Sequence, residues 1–305
     1  MTLSEGTDTT SPSLDDWAVS WERRPVFEQI SYWWYANTGG AITPTDTWPV
    51  GTTTSELTQS SPIVADYPTK TGDVLRLRMG VAVSSVAATS DVFKLQFAAG
   101  DTCAPELEWF DVGGIGSTTA LWRGYNNATP SDGATLVTSV LSSTDALETY
   151  EEENNSTALP NSIAVGNQGE WDWVIENQAD SGTSYCFRMV SSDGSLLGTY
   201  TEYPLLVTNQ SPAISATNAP FDNEKLASTS PWFEFAAIDP EGELLDYQIQ
   251  IDNNPDFSST IIDTDSSVNL TDFENIENPS DKSPFNDGET LRYIIPSTLS
   301  NGTTY

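Results

Sequence analysis

The stretch Asp180–Val207, DSGTSYCFRMVSSDGSLLGTYTEYPLLV, decides the fold class of this chain. Tyr185, Phe187 and Met189 alternate with the side chains between them, which is the two-residue period of a half-buried β-strand. A Ser-Asp-Gly turn follows at 192–194, where glycine readily takes a positive φ, and the run after it is again β-rich. The stretch is therefore predicted to form two strands joined by a hairpin.

The four-residue segment that leads into the first strand of this hairpin occurs twice in the chain. GTSY at 182–185 returns as GTTY at 302–305, about one domain length later. Ser, Thr, Asn, Asp and Gly are abundant between short apolar segments, which favours an all-β protein with many turns. The repeat predicts tandem β-domains, with the second ending before its last strands.

The clearest strand signals lie in the first half of the chain. Residues 73–83, DVLRLRMGVAV, alternate so that Arg76 and Arg78 face away from the apolar side chains between and around them. Residues 91–98 repeat the pattern after a short turn, and the two segments are predicted to pair as antiparallel neighbours. Residues 38–70 are rich in Thr, Pro and Gly and are predicted to form a long surface loop.

Charge and composition exclude several classes of function. The 305 residues include 44 acidic and 11 basic side chains, a net charge of −33, which disfavours binding to nucleic acids and to anionic membrane surfaces. The chain has no histidine, which excludes Ser-His-Asp triads and histidine-containing zinc sites. No transmembrane run, phosphate-binding glycine loop or nucleophile elbow is visible, and membrane insertion is not expected. The chain is interpreted as a non-enzyme.

Cys103 and Cys186 are the only cysteines in the chain. Two cysteines alone cannot form a structural zinc site, whereas a single disulfide is common in secreted β-proteins. A Cys103–Cys186 disulfide is the prediction, and two buried or free thiols are the alternative.

The predicted organisation has three parts. Residues 1–14 are polar and acidic and are predicted to be a disordered leader, without the apolar core of a signal peptide. Residues 15–208 are predicted to be a large β-sandwich, and the polar, Pro-containing cluster 209–212 a boundary. Residues 211–305 are predicted to be a second sandwich, C-terminally incomplete, in a piece of a longer secreted protein.

The second sandwich resembles fibronectin type III-like, or immunoglobulin-like, repeats of large secreted bacterial surface proteins. The residues that carry the resemblance are Phe235–Asp239, Pro240–Glu243, Leu245–Asp252, Asn254–Phe257 and Leu299–Tyr305. In such repeats an aromatic strand and one more strand follow the last of these segments, and both are missing here. The spacing from Leu299 to Tyr305 also resembles a tyrosine corner, in which the phenol hydroxyl bonds a nearby backbone group.

A calcium site is one candidate in the second sandwich. Asp239, Glu241 and Glu243, with Asp222 earlier in the chain, resemble the acidic loops that bind calcium in cadherin-like tandems. Calcium prefers six to eight oxygen ligands, which clustered acids across a turn can supply. The alternative is a plain acidic turn, and no other cofactor is predicted.

A carbohydrate site is the second candidate. Exposed aromatic rings can stack on sugars, and the candidates for this role are Trp33, Trp34, Trp48 and Trp122. Core packing is the commoner use of tryptophan in a sandwich. The two alternatives differ in whether these rings are exposed on one face or buried.

The interpretation is a non-enzymatic extracellular protein of a cell surface, with a structural or adhesive role in a stalk, layer or filament. Its expected partners are other copies of itself, other surface proteins or glycans. The alternative is a carbohydrate-binding module of a secreted multidomain protein. The fold analogy alone carries this functional expectation.

Overall fold

A computed structural model describes residues 2–5, 17–20, 23–38, 40–48, 59–63, 68–142, 145–179, 182–221, 223–296 and 298–305, the first two ranges by their backbone alone. Every regular element in these ranges is a β-strand, which confirms the all-β prediction. The strands are β1 (Thr2–Glu5), β2 (Trp17–Ser20), β3 (Val26–Ala36), β4 (Val74–Ser84), β5 (Phe93–Ala99), β6 (Phe110–Asp111), β7 (Trp122–Gly124), β8 (Ala146–Glu151), β9 (Gln168–Asn177), β10 (Ser184–Ser191), β11 (Thr199–Tyr200), β12 (Leu205–Val207), β13 (Ala213–Ala219), β14 (Trp232–Ile238), β15 (Gln248–Ile251), β16 (Ile262–Asp265), β17 (Phe273–Asn275) and β18 (Leu291–Ile294).

The chain divides into two compact units. Unit 1 consists of Met1–Ile63, Thr69–Ala179 and Ser184–Leu206. Unit 2 consists of Val207–Tyr305 and two short segments, Val64–Pro68 and Asp180–Thr183. The described part of the chain has no helix long and apolar enough to cross a membrane.

Unit 1 contains a six-stranded sheet of order β11-β3-β4-β9-β7, with β8 pairing parallel to β9. β4 lies at its centre, antiparallel to β3 with Trp34 opposite Leu77, and antiparallel to β9 with Leu77 opposite Trp173. The alternation in β4 places Leu75, Leu77 and Met79 on one buried face. The other face carries the arginines, as the sequence predicts.

The second sheet of unit 1 has the order β12-β10-β5-β6. β10 and β5 pair antiparallel with Phe187 opposite Phe97. The two sheets pack face to face as a sandwich, and the rings between them meet edge to face, as in Trp34–Phe187 at 5.5 Å and Phe93–Trp171 at 5.1 Å between ring centroids. Edge-to-face pairs are favourable because each ring edge is positive and each ring face negative.

Of two predictions about pairing in unit 1, one is wrong and the other is confirmed only in part. Segments 73–83 and 91–98 are not neighbours, because both edges of β4 are occupied by β3 and β9, while β5 pairs with β10 and β6. The predicted hairpin keeps its turn, where the Ser191 N–H donates to the Ser195 carbonyl at 2.9 Å. The run after the turn, however, divides between the sheets, β11 running parallel to β3 and β12 lying beside β10.

The N-terminal leader and the long loop also differ from expectation in their described parts. Thr2–Glu5 lies within residues 1–14, the predicted disordered leader, but forms a strand that pairs antiparallel with Trp17–Ser20. In the 38–70 stretch, Ile63 is buried in the main core and Thr47 bridges to Tyr35, so part of this loop closes the sandwich. The loop therefore contributes apolar anchors as well as surface.

Unit 2 contains a four-stranded sheet of order β13-β14-β18-β17 and a two-stranded sheet, β15-β16. Its core includes Ile251 from the smaller sheet, Tyr247 just before that sheet, and Phe273, Leu291 and Tyr293 from the larger one. The described C-terminal turn has the hydrogen bond of a tyrosine corner, in which the Ser300 N–H donates to the Tyr305 hydroxyl at 2.7 Å.

Candidate functional site

The residues predicted to stack on sugars do not form one surface. Trp34 and Trp122 are fully buried in the core of unit 1, so neither ring has a face free for a ligand and their predicted role is wrong. Trp48 is half-buried and packs against the same core, whereas Trp33 lies outside this core beside Tyr35. Adjacent side chains point to opposite faces of a strand, so Trp33 and Trp34 cannot serve one platform.

The predicted disulfide is present. Cys103 and Cys186 are bonded with their Cα atoms 5.5 Å apart, and the bond links positions separated by 83 residues. Cys186 lies in β10, whereas Cys103 lies in the connection between β5 and β6. The bond therefore fixes this connection to the strand beside β5.

The predicted calcium ligands form a turn after β14. The Asp239 carboxylate accepts a hydrogen bond from the Glu241 N–H at 3.0 Å, and the Glu241 carboxylate accepts one from the Gln210 N–H at 3.3 Å. Asp222 lies outside the described residues. Among the described residues, no three Asp, Glu, Cys or His side chains are grouped so that they could hold a metal ion. Calcium binding at Asp239, Glu241 and Glu243 therefore stays a prediction, and the observed role of Asp239 is to close the turn.

Replacing Asp239 by alanine is expected to lower stability by about 1 kcal/mol, because the turn amides lose a charged acceptor. The loss should be equal with calcium and with excess chelator when measured by thermal unfolding. Asp239→Asn is the control, since its side-chain oxygen can still accept the Glu241 N–H. A loss seen only in the presence of calcium would instead support the metal site.

The outer face of the six-stranded sheet holds a buried ion network that the sequence interpretation missed. Asp172 on β9 pairs with both arginines of β4, through Arg76 Nη2 and through Arg78 Nε at 3.2 Å. Glu170 pairs with Arg78 Nη1 at 2.6 Å, and all four side chains are almost completely buried. The signal was present in the sequence, since β4 has arginines at 76 and 78 and β9 has acids at 170 and 172, each pair two residues apart.

This network also holds the loops that cover it. Arg76 donates to the carbonyls of Ala41 and Ile42 at 2.6 and 2.9 Å. The Glu170 carboxylate accepts the N–H groups of Val140 and Leu141 at 3.1 and 3.2 Å. Buried charges are tolerated when they are paired and hydrogen-bonded, and these loops supply the remaining bonds. The network therefore has a structural role, because its donors and acceptors bond to groups within unit 1.

Two buried glutamates, Glu148 and Glu151, lie on β8, the strand that pairs parallel to β9. Burial raises the pKa of Glu148 to about 7, and the Asn161 backbone amide offsets this only in part. Burial raises the pKa of Glu151 to about 8, although hydrogen bonds from Thr149 and Thr157 act in the opposite direction. These carboxyl groups hold their protons more tightly in the folded chain than in the unfolded chain.

Unit 1 is therefore expected to lose stability as the pH rises from 5 to 8.5. Both folded-state pKa values lie above the ordinary glutamate value of about 4.3, so their contribution is complete below that value and is lost as pH rises through 7 and 8. The measurement is the urea midpoint at the two pH values. The double variant Glu148→Gln with Glu151→Gln should make the urea midpoint less dependent on pH. The control Glu153→Gln changes an exposed neighbour and should leave this dependence as it is in the wild type. The assignment would be contradicted if the urea midpoint changed equally with pH in both variants.

An apolar cleft lies at the β6 end of unit 1. Its volume is about 340 Å³, and it is lined by Phe97, Ala99, Phe110, Asp111, Thr119, Ala120, Leu121 and Tyr185. The Phe97 ring lies between its neighbours, 6.0 Å from Phe110 and 6.1 Å from Tyr185 between ring centroids. Phe110 is 50% exposed and Leu121 45% exposed, so both side chains are accessible to a ligand.

Asp111 borders this cleft, but its carboxylate lies on the opposite face of β6 from Phe110, because adjacent residues of a strand alternate between faces. Asp111 accepts hydrogen bonds from Lys94 Nζ at 2.6 Å and Gln96 Nε2 at 2.8 Å. Partial burial opposes its ionisation, but these hydrogen bonds and the Lys94 charge together lower the pKa of the group. No period or motif in the sequence links 97, 110, 121 and 185, because the cleft is formed by three strands and the connection between β6 and β7.

Comparison with known proteins finds no family model and no curated protein that matches the chain.

Proposed function

We propose that this chain is a non-enzymatic, extracellular structural or adhesive protein of a cell surface, which assembles with other copies of itself through its second β-sandwich. The observation that carries the proposal is the uneven burial of the four-stranded sheet in unit 2. Phe273 and Tyr293, on β17 and β18, are completely buried, whereas every residue of β13 is exposed or half-buried.

Ile214 is the clearest example of this uneven burial. It lies opposite Ala237 in the β13–β14 register, and opposite residues of an antiparallel pair share a face. Ala237 is 5% exposed and belongs to the core of unit 2, but Ile214 is 62% exposed. An apolar side chain on the core-facing side of the sheet is thus left uncovered.

Two strands of unit 2, β13 and β15, each have an edge that is open to a protein partner. β15 pairs only with β16 among the described strands, so one row of its backbone N–H and C=O groups is available to another strand. Neither Ala213–Ala219 nor Gln248–Ile251 contains a charged residue. Natural edge strands are usually protected by charges, prolines or bulges, and unprotected edges associate. The register of β13 shifts after Ile214 and after Thr217, whereas β15 pairs without a shift and is the less protected of the two strands. In a chain of net charge −33, these neutral strands are where two copies can approach with least repulsion.

The disulfide supports the proposed location. Disulfides persist in oxidising compartments and are rare in the cytosol, so the Cys103–Cys186 bond is in keeping with an exported protein. A sandwich closed by a disulfide and by a buried ion network provides a stable scaffold for a stalk, layer or filament.

The test is the molar mass of the 1–305 chain by light scattering, measured over a range of concentrations in 0.1 M and 1 M salt. Association is expected to strengthen at high salt, because the Debye length falls from about 10 Å to about 3 Å and repulsion between acidic copies is screened. Ile214→Lys should abolish it. Ile294→Lys is the matched control, since Ile294 is 50% exposed and neighbours the inward-facing Tyr293, so it lies on the opposite face.

Three results would overturn the proposal. They are a monomer at all concentrations and salts, association that both lysine variants weaken equally, and association that neither variant changes.

A further inference from the structure

Six asparagines of the chain begin an Asn-X-Ser/Thr triplet, the acceptor motif for N-linked glycans. The motif alone has little weight, because a chain rich in serine and threonine also contains such triplets by chance. A glycan can be attached to folded protein only where the asparagine amide and the hydroxyl two residues later are both accessible at the surface. Burial and hydrogen bonding therefore separate the six, which are Asn127, Asn154, Asn155, Asn209, Asn269 and Asn301.

Asn154 is part of the framework of unit 1. Its Nδ2 donates to the carbonyls of Leu95 and Val112 at 2.9 and 2.7 Å, and its Oδ1 accepts the Leu95 N–H at 2.6 Å. Ser156, which completes the motif, is 2% exposed, and its hydroxyl accepts the Phe93 N–H at 2.8 Å. A glycan on Asn154 would displace Nδ2 from both carbonyls, so this motif is closed in the folded chain.

Three further asparagines are half-buried and use their side-chain amides as donors. Each amide would have to leave its acceptor before a sugar could be attached to it. The bonds run from Asn127 to the Tyr150 hydroxyl at 2.6 Å, from Asn209 to the Gln210 carbonyl at 3.1 Å, and from Asn269 to the Asp272 carboxylate at 2.6 Å.

Asn155 and Asn301 differ from the other four. Both are exposed, and neither side-chain amide donates a hydrogen bond to a residue that the structure describes. Thr157 and Thr303, which complete their motifs, are exposed as well. Asn155 follows β8 in unit 1, and Asn301 lies in the turn before Tyr305 in unit 2. These two motifs are the accessible ones.

We propose that Asn155 and Asn301 are acceptor sites for an N-linked glycan and that the overlapping motif at Asn154 is not. The proposal rests on the extracellular location that the proposed function includes, because the transfer takes place on exported chains. The co-reactant is an oligosaccharide linked to a lipid diphosphate. The asparagine Nδ2 forms a bond to sugar C1, the bond from C1 to the diphosphate oxygen breaks, and the amide proton passes to the released lipid diphosphate.

The experiment treats the folded 1–305 chain with a purified oligosaccharyltransferase and its lipid-linked donor, and locates the glycans by mass spectrometry of peptides. We expect glycan on Asn155 and Asn301 and none on Asn154. The matched control is the synthetic peptide of residues 150–160, which contains Asn154 and Asn155 without the fold. In this peptide each of the two asparagines should be modified in a fraction of the molecules.

Two reciprocal variants assign each glycan to its motif. Thr157→Val removes a hydroxyl but keeps the backbone N–H that donates to Glu151, and it should abolish modification of Asn155 alone. Thr303→Val should abolish modification of Asn301 alone. An unchanged melting temperature shows that each variant is folded. The protein purified from the cells that produce it should carry glycans at the same two positions.

Glycan on Asn154 of the folded chain, or its absence from Asn155 and Asn301 there, would overturn the proposal, as would an unmodified protein from the producing cells. The readout does not require copies to associate. A monomeric chain that is modified would therefore count against the assembly proposal alone, and an assembling chain that is not modified would count against the glycan sites alone.

Discussion

Reduction of the Cys103–Cys186 disulfide is expected to lower the free energy of unfolding of unit 1 by about 4.5 kcal/mol, as the chain-entropy relation gives for a loop of this length. The bond joins positions 83 residues apart, so its loss releases a long segment of the unfolded chain. Cys186 is also completely buried, so the native strand remains packed after reduction and most of the effect arises in the unfolded state.

The measurement is urea unfolding with and without reductant, followed by tryptophan fluorescence. Of the ten tryptophans only Trp232 lies in unit 2, so the signal reports mainly on unit 1. Cys103→Ala with Cys186→Ala should reproduce the loss and make the protein insensitive to reductant. If wild type has the same urea midpoint in both conditions, the disulfide does not constrain the unfolded chain as argued.

Asp172→Ala is expected to destabilise unit 1 by about 3–5 kcal/mol, because it leaves two buried arginines without their shared carboxylate. Asp172 pairs with Arg76 and Arg78, and all three side chains are shielded from water. The energy arises from the uncompensated charges and not from the ion pairs themselves, so the loss should persist in 1 M salt, which screens buried pairs poorly.

Lys94→Ala is the matched control, because Lys94 and Asp111 form an ion pair whose side chains are 19% and 49% exposed. Exposed pairs are worth about 0–1 kcal/mol, and this one should weaken further with salt. Urea unfolding of both variants at low and high salt separates the two cases. A loss below 1 kcal/mol for Asp172→Ala would mean that water reaches the arginines.

The all-β fold and most strand positions could be predicted because alternation is a local property. β4, β5 and β10 fall within a few residues of the strands predicted at 73–83, at 91–98 and in the first part of 180–207, since each carries apolar side chains at every second position. Pairing could not be predicted in the same way. β4 and β5 are close in sequence and similar in pattern, but they belong to different sheets. Nothing in the sequence of either strand indicates which strands will pair along its two edges.

The candidate sites show the same limit. The disulfide could be predicted because two cysteines allow only one pairing. The tryptophans could not be assigned, because a ring in a strand is equally apolar whether it faces the core, as Trp34 does, or the opposite side, as Trp33 does. The cleft beside Phe97 and Phe110 combines residues of β5, β6, β10 and the β6–β7 connection, which are far apart in sequence, and it has no sequence signature.

β4 has both of its edges hydrogen-bonded and both of its faces covered, one by the main core and the other by the ion network beneath the loops. The ion network and the loops that cover it therefore form a third layer, which accounts for the size of unit 1 compared with a two-layer sandwich. Its amide protons should consequently exchange with solvent only when the whole unit unfolds, so the slowest protons of the molecule should mark β4 and the adjoining part of β9.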